Sequence, residues 1–371
     1  MENDKNKRLS RRMFLKTLGF GGVTLMGMPS FANGIGRVID NEKAVKVPRG
    51  SMTYRTFNKT GERFSLLGYG CMRFPMVAAD DGNGMVVDQN KVYELIDHAI
   101  KHGVNYFDTS PVYLQRQSET AVGKALSRYP RNSYKLATKM SNHHLLKSGI
   151  TGDDLYNASL EMYRHSHEAL KTDYFDNYLI HNVDYEHRGL EFLKARVFDN
   201  HLIDFILNER KEGRIRNIGF SFHGESREVF DFLMSRHADI HWDFAQIKMN
   251  YFDFRHAKDV EMTAEELYKE LTGRNIPVII MEPLLGGKLA TLPNDLATRL
   301  TQKRPNDSVS SWAFRFAGSF DNVLTVLSGM TYMEHLQDNL YTYSPLEICS
   351  DDEFALLENV AESMANTSEH D

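Results

Sequence analysis

The stretch Lys91-Val92-Tyr93-Glu94-Leu95-Ile96-Asp97-His98-Ala99-Ile100-Lys101-His102-Gly103-Val104-Asn105-Tyr106-Phe107-Asp108-Thr109 contains the pattern that decides the fold. Val92, Leu95, Ile96, Ala99 and Ile100 recur at helical spacing on one face, and Gly103 supplies a stop. Residues 105–109 then read as a short apolar strand. Outward from here the same alternation repeats. Strand-like runs fall at 66–70, 105–109, 135–139, 178–181, 217–221, 244–249, 278–281 and 323–327. Segments of helical period follow them, as at 91–102, 118–129 and 153–171. In the last of these Leu155, Ala158, Met162, Ala169 and Leu170 share roughly one face, with Thr151 and Asp153 as caps. Eight β-then-α units without a second composition regime predict an α/β fold, a parallel sheet closed into a (β/α)8 TIM barrel. No G-x-G-x-x-G opens an early helix, so an open dinucleotide-binding sheet has little support. Ahead of the barrel, 52–57 and 62–67 flank Asn58-Lys59-Thr60-Gly61 and predict an N-terminal β-hairpin.

The chain has 371 residues, 42% apolar and 25% charged, which suits a soluble globular protein of barrel size. A net charge of −6 argues against nucleic acid as a partner, since phosphate contacts would require a basic surface. Two cysteines make neither a disulfide scaffold nor a four-cysteine metal cluster. The charge is uneven: residues 1–32 carry +4, which leaves −10 for the remainder. That leader reads Ser10-Arg11-Arg12-Met13-Phe14-Leu15-Lys16, then a mildly apolar run over 17–28, then Ser30-Phe31-Ala32. A basic start, a short apolar run and a small-x-small end describe an export signal. The run is too short to span a bilayer, so no stable membrane anchor is expected. Ser10–Lys16 resembles the twin-arginine motif, which implies export of the folded protein by that machinery and a periplasmic or otherwise exported location. The expected organisation is a signal peptide at 1–32, a linker or draped arm at 33–50, the barrel at 51–345, and a C-terminal helix and tail at 346–371.

In (β/α)8 barrels the chemistry sits where strands end. Asp108 ends the second strand-like run, Lys139 the third and His181 the fourth, and Tyr113 lies in the loop after the second. A phenol with a pKa near 10 needs help to exchange a proton at neutral pH. A cationic Lys stabilises the phenolate, an Asp holds that ammonium, and a His can orient a carbonyl oxygen. This set suits hydride transfer to a carbonyl, with the hydride brought by a cofactor because side chains carry none. His143, His144, His165 and His167 lack metal-ligand spacing and read as surface or packing residues, and no metal site is expected. Cys71, just after the first strand, reads as a small packing residue. The loops 76–88 and 184–199 show no chemical pattern.

Phe107-Asp108-Thr109-Ser110-Pro111-Val112-Tyr113, with Ser118-Glu119 and Gly123–Leu126 after it, resembles the aldo-keto reductase signature. Leu136-Ala137-Thr138-Lys139, Leu179-Ile180-His181, Ile218-Gly219-Phe220-Ser221 and Gln246–Asn250 follow at that family's spacings. The resemblance implies Tyr113 as general acid/base, Lys139 and Asp108 as its tuning pair, and His181 at the oxyanion. It also implies NADP or NAD as cofactor, a small carbonyl or alcohol substrate, and Ser221 and Gln246 on the nicotinamide carboxamide. Met281, Pro283, Leu284 and Gly286 would line the nicotinamide nucleotide, and Ser328, Gly329, Met330, His335 and Asn339 the adenosine end. NADP-preferring members place permanent cations where this chain has Gly329, Met330 and His335, so a cation from another loop, or NAD, is implied. Met281 stands where many members stack a Tyr, and Phe222 where an Asn is frequent. The run 281–288 and Ser221-Phe222-His223 resemble a bacterial branch that often carries a ferredoxin-like cysteine cluster, absent from this sequence. Two other readings compete: a nucleotide-binding sensory or partner-binding barrel without turnover, and a sugar-modifying enzyme that recycles tightly held NAD.

Overall fold

The computed structural model describes residues 46–80, 82 and 84–367. The expected signal at 1–32, the linker residues 33–45 and the tail residues 368–371 lie outside the described residues. β1 (Tyr54–Phe57) and β2 (Glu62–Ser65) pair antiparallel as the expected hairpin, and β3 (Leu67–Gly70) follows directly. β4 (Met76–Ala78) and β5 (Met85–Val87) form a second hairpin in the loop after β3. Then come β6 (Tyr106–Asp108), β7 (Lys135–Met140), β8 (Phe175–Ile180), β9 (Ile215–Phe222), β10 (Phe244–Lys248), β11 (Val278–Met281) and β12 (Val323–Ser328). β3 and β6 to β12 pair in parallel in chain order, and β12 pairs with β3 to close the barrel. All eight expected strands are present.

Helices pack outside because their apolar stripes have only the strands' outer faces to cover. In Gln89–Lys101 the buried residues are Val92, Leu95, Ile96 and Ala99, and Asp88 caps the helix by accepting from the Lys91 N–H at 3.1 Å. The helix expected over 118–129 ends at Leu126. Gly152–Leu170 buries Leu155, Ala158, Met162 and Leu170, but Thr151 makes no capping bond through its side chain, contrary to expectation. Asp153 and Asp154 in its first turn favour the positive end of the helix dipole instead. Met333–Tyr343 follows the last barrel strand, Asp351–Thr367 supplies the C-terminal helix, and Lys46 drapes the start of the described chain onto Asp338 at 2.8 Å. No helix among the described residues is long and apolar enough to cross a membrane.

The inside of the barrel forms its own core from Phe57, Phe64, Tyr106, Ala137, Leu179, Phe244, Ile279, Leu324 and Leu327. Phe57 and Phe64 come from the hairpin, so β1–β2 plugs one end, with Phe64 5.5 Å from the Tyr106 ring. Strand side chains alternate faces. Two residues beyond the inward-facing Tyr106, Ala137, Leu179, Phe244 and Ile279 stand Asp108, Lys139, His181, Gln246 and Met281. The period of two carries these polar groups, and the Met281 thioether, to the open C-terminal end.

Candidate active site

Asp108 and Lys139 lie on adjacent paired strands, and both are buried. Lys139 Nζ donates to the Asp108 carboxylate and, at 2.8 Å, to the Thr109 carbonyl. It also stands 5.0 Å from the centre of the Tyr113 ring. Tyr113 is held there by an unusual turn: Leu114, Gln115 and Arg116 have φ of 49°, 54° and 72°. Three successive non-glycine residues in this region are costly and need bracing. Gln117 supplies it, accepting from the Val87 N–H at 2.9 Å and donating to the Met85 carbonyl at 3.1 Å. The β4–β5 hairpin, unreadable in the sequence, is thus a brace for the Tyr113 loop.

His181 lies one residue past β8, and its ring meets Tyr113 nearly edge-on at 5.8 Å. Its Nδ1 is 2.6 Å from Ser141 Oγ, which is 2.8 Å from Ser110 Oγ, so a buried hydroxyl pair orients the ring. Burial, reinforced by His143 and Lys139, holds the imidazole well below its usual pKa and therefore neutral at pH 7. Burial raises the Tyr113 phenol above its ordinary 10.0, and Lys139 opposes that rise. Burial works against the Lys139 charge, but Asp108 and Tyr113 outweigh it, so the ammonium persists. Cys71 is fully buried, and burial beside Asp108 pushes its thiol up, consistent with packing.

Around the mouth, Ser221 Oγ accepts from the Asn182 N–H at 2.7 Å, while Gln246 Oε1 and Asn182 Oδ1 are buried without partners. Orphaned buried acceptors are costly, and a primary carboxamide offers N–H donors suited to both. Ser221 and Gln246 therefore fit a nicotinamide carboxamide, and Asn182 joins them although the sequence reading missed it. Met281 is half-buried at the end of β11; Pro283 is buried, Leu284 half-buried and Gly286 exposed in the following loop. Asn339 is buried and donates to Ser328 Oγ at 2.9 Å, so its amide nitrogen holds the loop. Met330 turns into the core, and its carbonyl accepts from Tyr69 Oη at 2.6 Å. His335 packs edge-on to Tyr332, and burial lowers its pKa, so it supplies no cation at neutral pH. The side-chain stem of Arg73 lies 3.2–3.3 Å from where a Cβ on Gly329 would stand. The Arg73 stem thus occupies the space beside Gly329, and Arg73 as a residue is exposed.

Two more imidazoles belong to this mouth. His143, expected at the surface or in packing, is buried with its ring 5.3 Å from that of His181 and 4.5 Å from that of Tyr185. His223 follows β9 beside Asp184, and burial acting to lower its pKa is overcome by that carboxylate. Both stand just past a strand end, the same signal that marked His181. Among the described residues no group of three His, Cys, Asp or Glu is arranged to hold a metal.

The Aldo/keto reductase family profile matches residues 66–362. L-galactose dehydrogenase of Arabidopsis thaliana is 24% identical over 331 residues, covering 82% of this chain and 92% of that protein. D-arabinose 1-dehydrogenase of Saccharomyces cerevisiae is 34% identical over 100 residues, 25% of this chain and 27% of that protein. Among solved structures, an aldo-keto reductase from Bacillus halodurans in its holo form superimposes with a TM-score of 0.63 at 21% identity, covering 83% and 96% of the two chains. One from Klebsiella pneumoniae in complex with NADPH gives 0.62 at 20% identity, covering 84% and 95%.

Proposed function

This chain belongs to the aldo/keto reductase family of NAD(P)-dependent oxidoreductases, and on that footing we propose that Tyr113 exchanges the proton in its reaction. The substrate is a small carbonyl compound or the corresponding alcohol. The observation that carries this reading is the buried Lys139–Asp108 pair set against the Tyr113 ring, with neutral His181 on its other side. A nicotinamide cofactor, when bound, supplies or accepts the hydride. In reduction the carbonyl π electrons move onto oxygen as the hydride reaches carbon, and Tyr113 gives that oxygen its proton. The resulting phenolate is stabilised by the Lys139 ammonium, which Asp108 keeps in place. His181, oriented by Ser141, presents its free Nε2 side to the same oxygen. In oxidation Tyr113 takes the proton back.

Ser221, Gln246 and Asn182 hold the carboxamide in this reading, and Met281 covers a ring face with its polarisable sulfur. Arg73, laid over Gly329, is the loop-supplied cation for a cofactor phosphate. Residues 1–32 act as the twin-arginine signal, so that the barrel is exported folded with its cofactor loaded. The test of the catalytic reading is titration of the purified protein with NADPH and NADH, followed by a panel of aldehydes and ketones. Oxidation of the bound cofactor by some member of the panel is expected. Binding without oxidation across the panel would favour a nucleotide-binding barrel without turnover.

A further inference from the structure

We propose that Ser110 and Ser141 are positioning residues that fix which nitrogen of His181 carries its hydrogen, so that Nε2–H faces the reacting oxygen as a donor. This rests on the hydride-transfer reading above and deepens it at the same site. The three residues stand just past three neighbouring strands: Ser110 two residues beyond β6, Ser141 one beyond β7 and His181 one beyond β8. Ser110 Oγ lies 2.8 Å from Ser141 Oγ, which lies 2.6 Å from His181 Nδ1. Both hydroxyl-bearing side chains are buried, away from bulk water.

Distances alone leave the sense of this chain open, because a hydroxyl can donate or accept. Its far end decides. The Val112 backbone N–H, which can only donate, gives its hydrogen to Ser110 Oγ at 3.4 Å, a long bond of fixed direction. Among the described residues, Ser141 Oγ is the one acceptor within reach of the Ser110 hydroxyl hydrogen. Ser110 therefore donates to Ser141, and Ser141 gives its single hydrogen to His181 Nδ1. In the opposite sense, Nδ1–H would donate to Ser141 and Ser141 to Ser110. The Ser110 hydrogen would then be buried with no acceptor, which forfeits its hydration without return. Burial holds the His181 pKa down, so the ring is neutral at neutral pH. With Nδ1 accepting, its one hydrogen sits on Nε2.

Two donors, Tyr113 Oη and His181 Nε2, then meet the oxygen on which negative charge develops, and donors fixed in advance at such a place lower the barrier. The other tautomer would set an Nε2 lone pair against those of the oxygen. Ser110 also accepts the Tyr113 N–H through its carbonyl at 3.2 Å, so the residue that starts the chain holds the proton donor's loop as well.

The test reads the tautomer by heteronuclear NMR of full-length protein with isotopically labelled histidine rings, His181 being assigned by its loss in His181→Phe. Beside it, serine variants are assayed on a carbonyl that the wild type reduces. The wild type should show one neutral tautomer with its hydrogen on Nε2. Ser141→Ala should lower kcat about tenfold with KM nearly unchanged, a part of what loss of a whole oxyanion donor costs. Ser110→Ala, whose hydroxyl makes no bond to the ring, should lower kcat about threefold and admit a second tautomer with its hydrogen on Nδ1. Ser141→Thr keeps the hydroxyl and should keep the Nε2–H form and most of kcat. The double alanine variant should be no slower than Ser141→Ala, since both serines act through one chain. Hydrogen on Nδ1 in the wild type, or tautomer and kcat unmoved in both alanine variants, would overturn the proposal. Nε2–H in the wild type with no cofactor oxidation by any carbonyl would uphold the serine assignment while contradicting hydride transfer. Turnover with hydrogen on Nδ1 would do the reverse.

Discussion

In the proposed mechanism Lys139 serves Tyr113 through charge, and its removal has a sign. Alcohol oxidation needs Tyr113 as phenolate; burial already raises the phenol's pKa, and Lys139 is what opposes this. In Lys139→Met the pKa rises further, so the rising limb of the oxidation pH profile should move to higher pH. If that pKa climbs by about one, the phenolate fraction at neutral pH falls about tenfold. Reduction uses the protonated phenol and should suffer less at pH 7. An unmoved limb would remove Lys139 from this role. The same substitution strands Asp108, at a cost of about 3–5 kcal/mol, so the position of the limb is the readout rather than rate alone. At the far end of the mouth, Arg73→Gln should weaken NADP binding about tenfold, by loss of a charge-assisted contact. It should weaken NAD binding less, as read by cofactor titration. Equal effects on both would place the guanidinium on a group the two cofactors share.

At the scale of elements, the helix Ser118–Leu126 must sit close against Gly152–Leu170 for the Tyr113 loop to enter the mouth. A Cβ on Gly123 would stand 2.1 Å from the Ala169 carbonyl oxygen and 2.8 Å from Leu170 Cα. Those are backbone atoms with little freedom to move, so Gly123→Ala should cost about 1–3 kcal/mol and lower Tm. An unchanged Tm would mean the two helices separate freely. The eight strands were legible because each is an apolar run followed by a helical stripe, and Asp108, Lys139 and His181 because they end such runs. Hidden elements fail those tests. β4 and β5 are three residues each with exposed Val77, Met85 and Val86, so no inside–outside alternation marks them. Asn182 is an ordinary loop residue until a φ of 50° turns its backbone, whereas His143 and His223, just past strand ends, carry the same signal as His181. The Arg73–Gly329 contact joins the loops after the first and last barrel strands, which only closure brings together.

For the whole molecule, the buried imidazoles make stability depend on pH. Burial holds His143 and His181 well below 6.5 and brings His144 to about 4. A base whose pKa is lowered by folding binds its proton more readily in the unfolded chain. Stability should therefore fall as pH drops below about 6.5, by roughly 1.4 kcal/mol per pH unit for each ring still neutral in the fold. Glu119 acts oppositely: burial raises it to about 7, so its contribution improves as pH falls from there toward its unfolded value. Asp108, raised by burial, and His223, raised by Asp184 against burial, act the same way as Glu119. Burial also lowers His98, His167, His237 and His335, so the lowered rings prevail and the urea midpoint should decline between pH 6.5 and 4.5. A flat or rising midpoint would mean that these rings ionise in place. The leader belongs to this scale too. Replacing Arg11 and Arg12 by Lys should strand the full-length protein in the cytoplasm if residues 1–32 are read by the twin-arginine machinery, and unaltered export would refute that route.

In the proposed mechanism, catalysis at this mouth depends on one phenol. The most direct measurement is steady-state turnover of Tyr113→Phe beside the wild type on a carbonyl that the wild type reduces, with cofactor affinity determined for both. Turnover should fall by about 10²–10⁴ while the cofactor binds as before. Full turnover with intact binding would contradict the assignment of Tyr113 as the group that moves the proton.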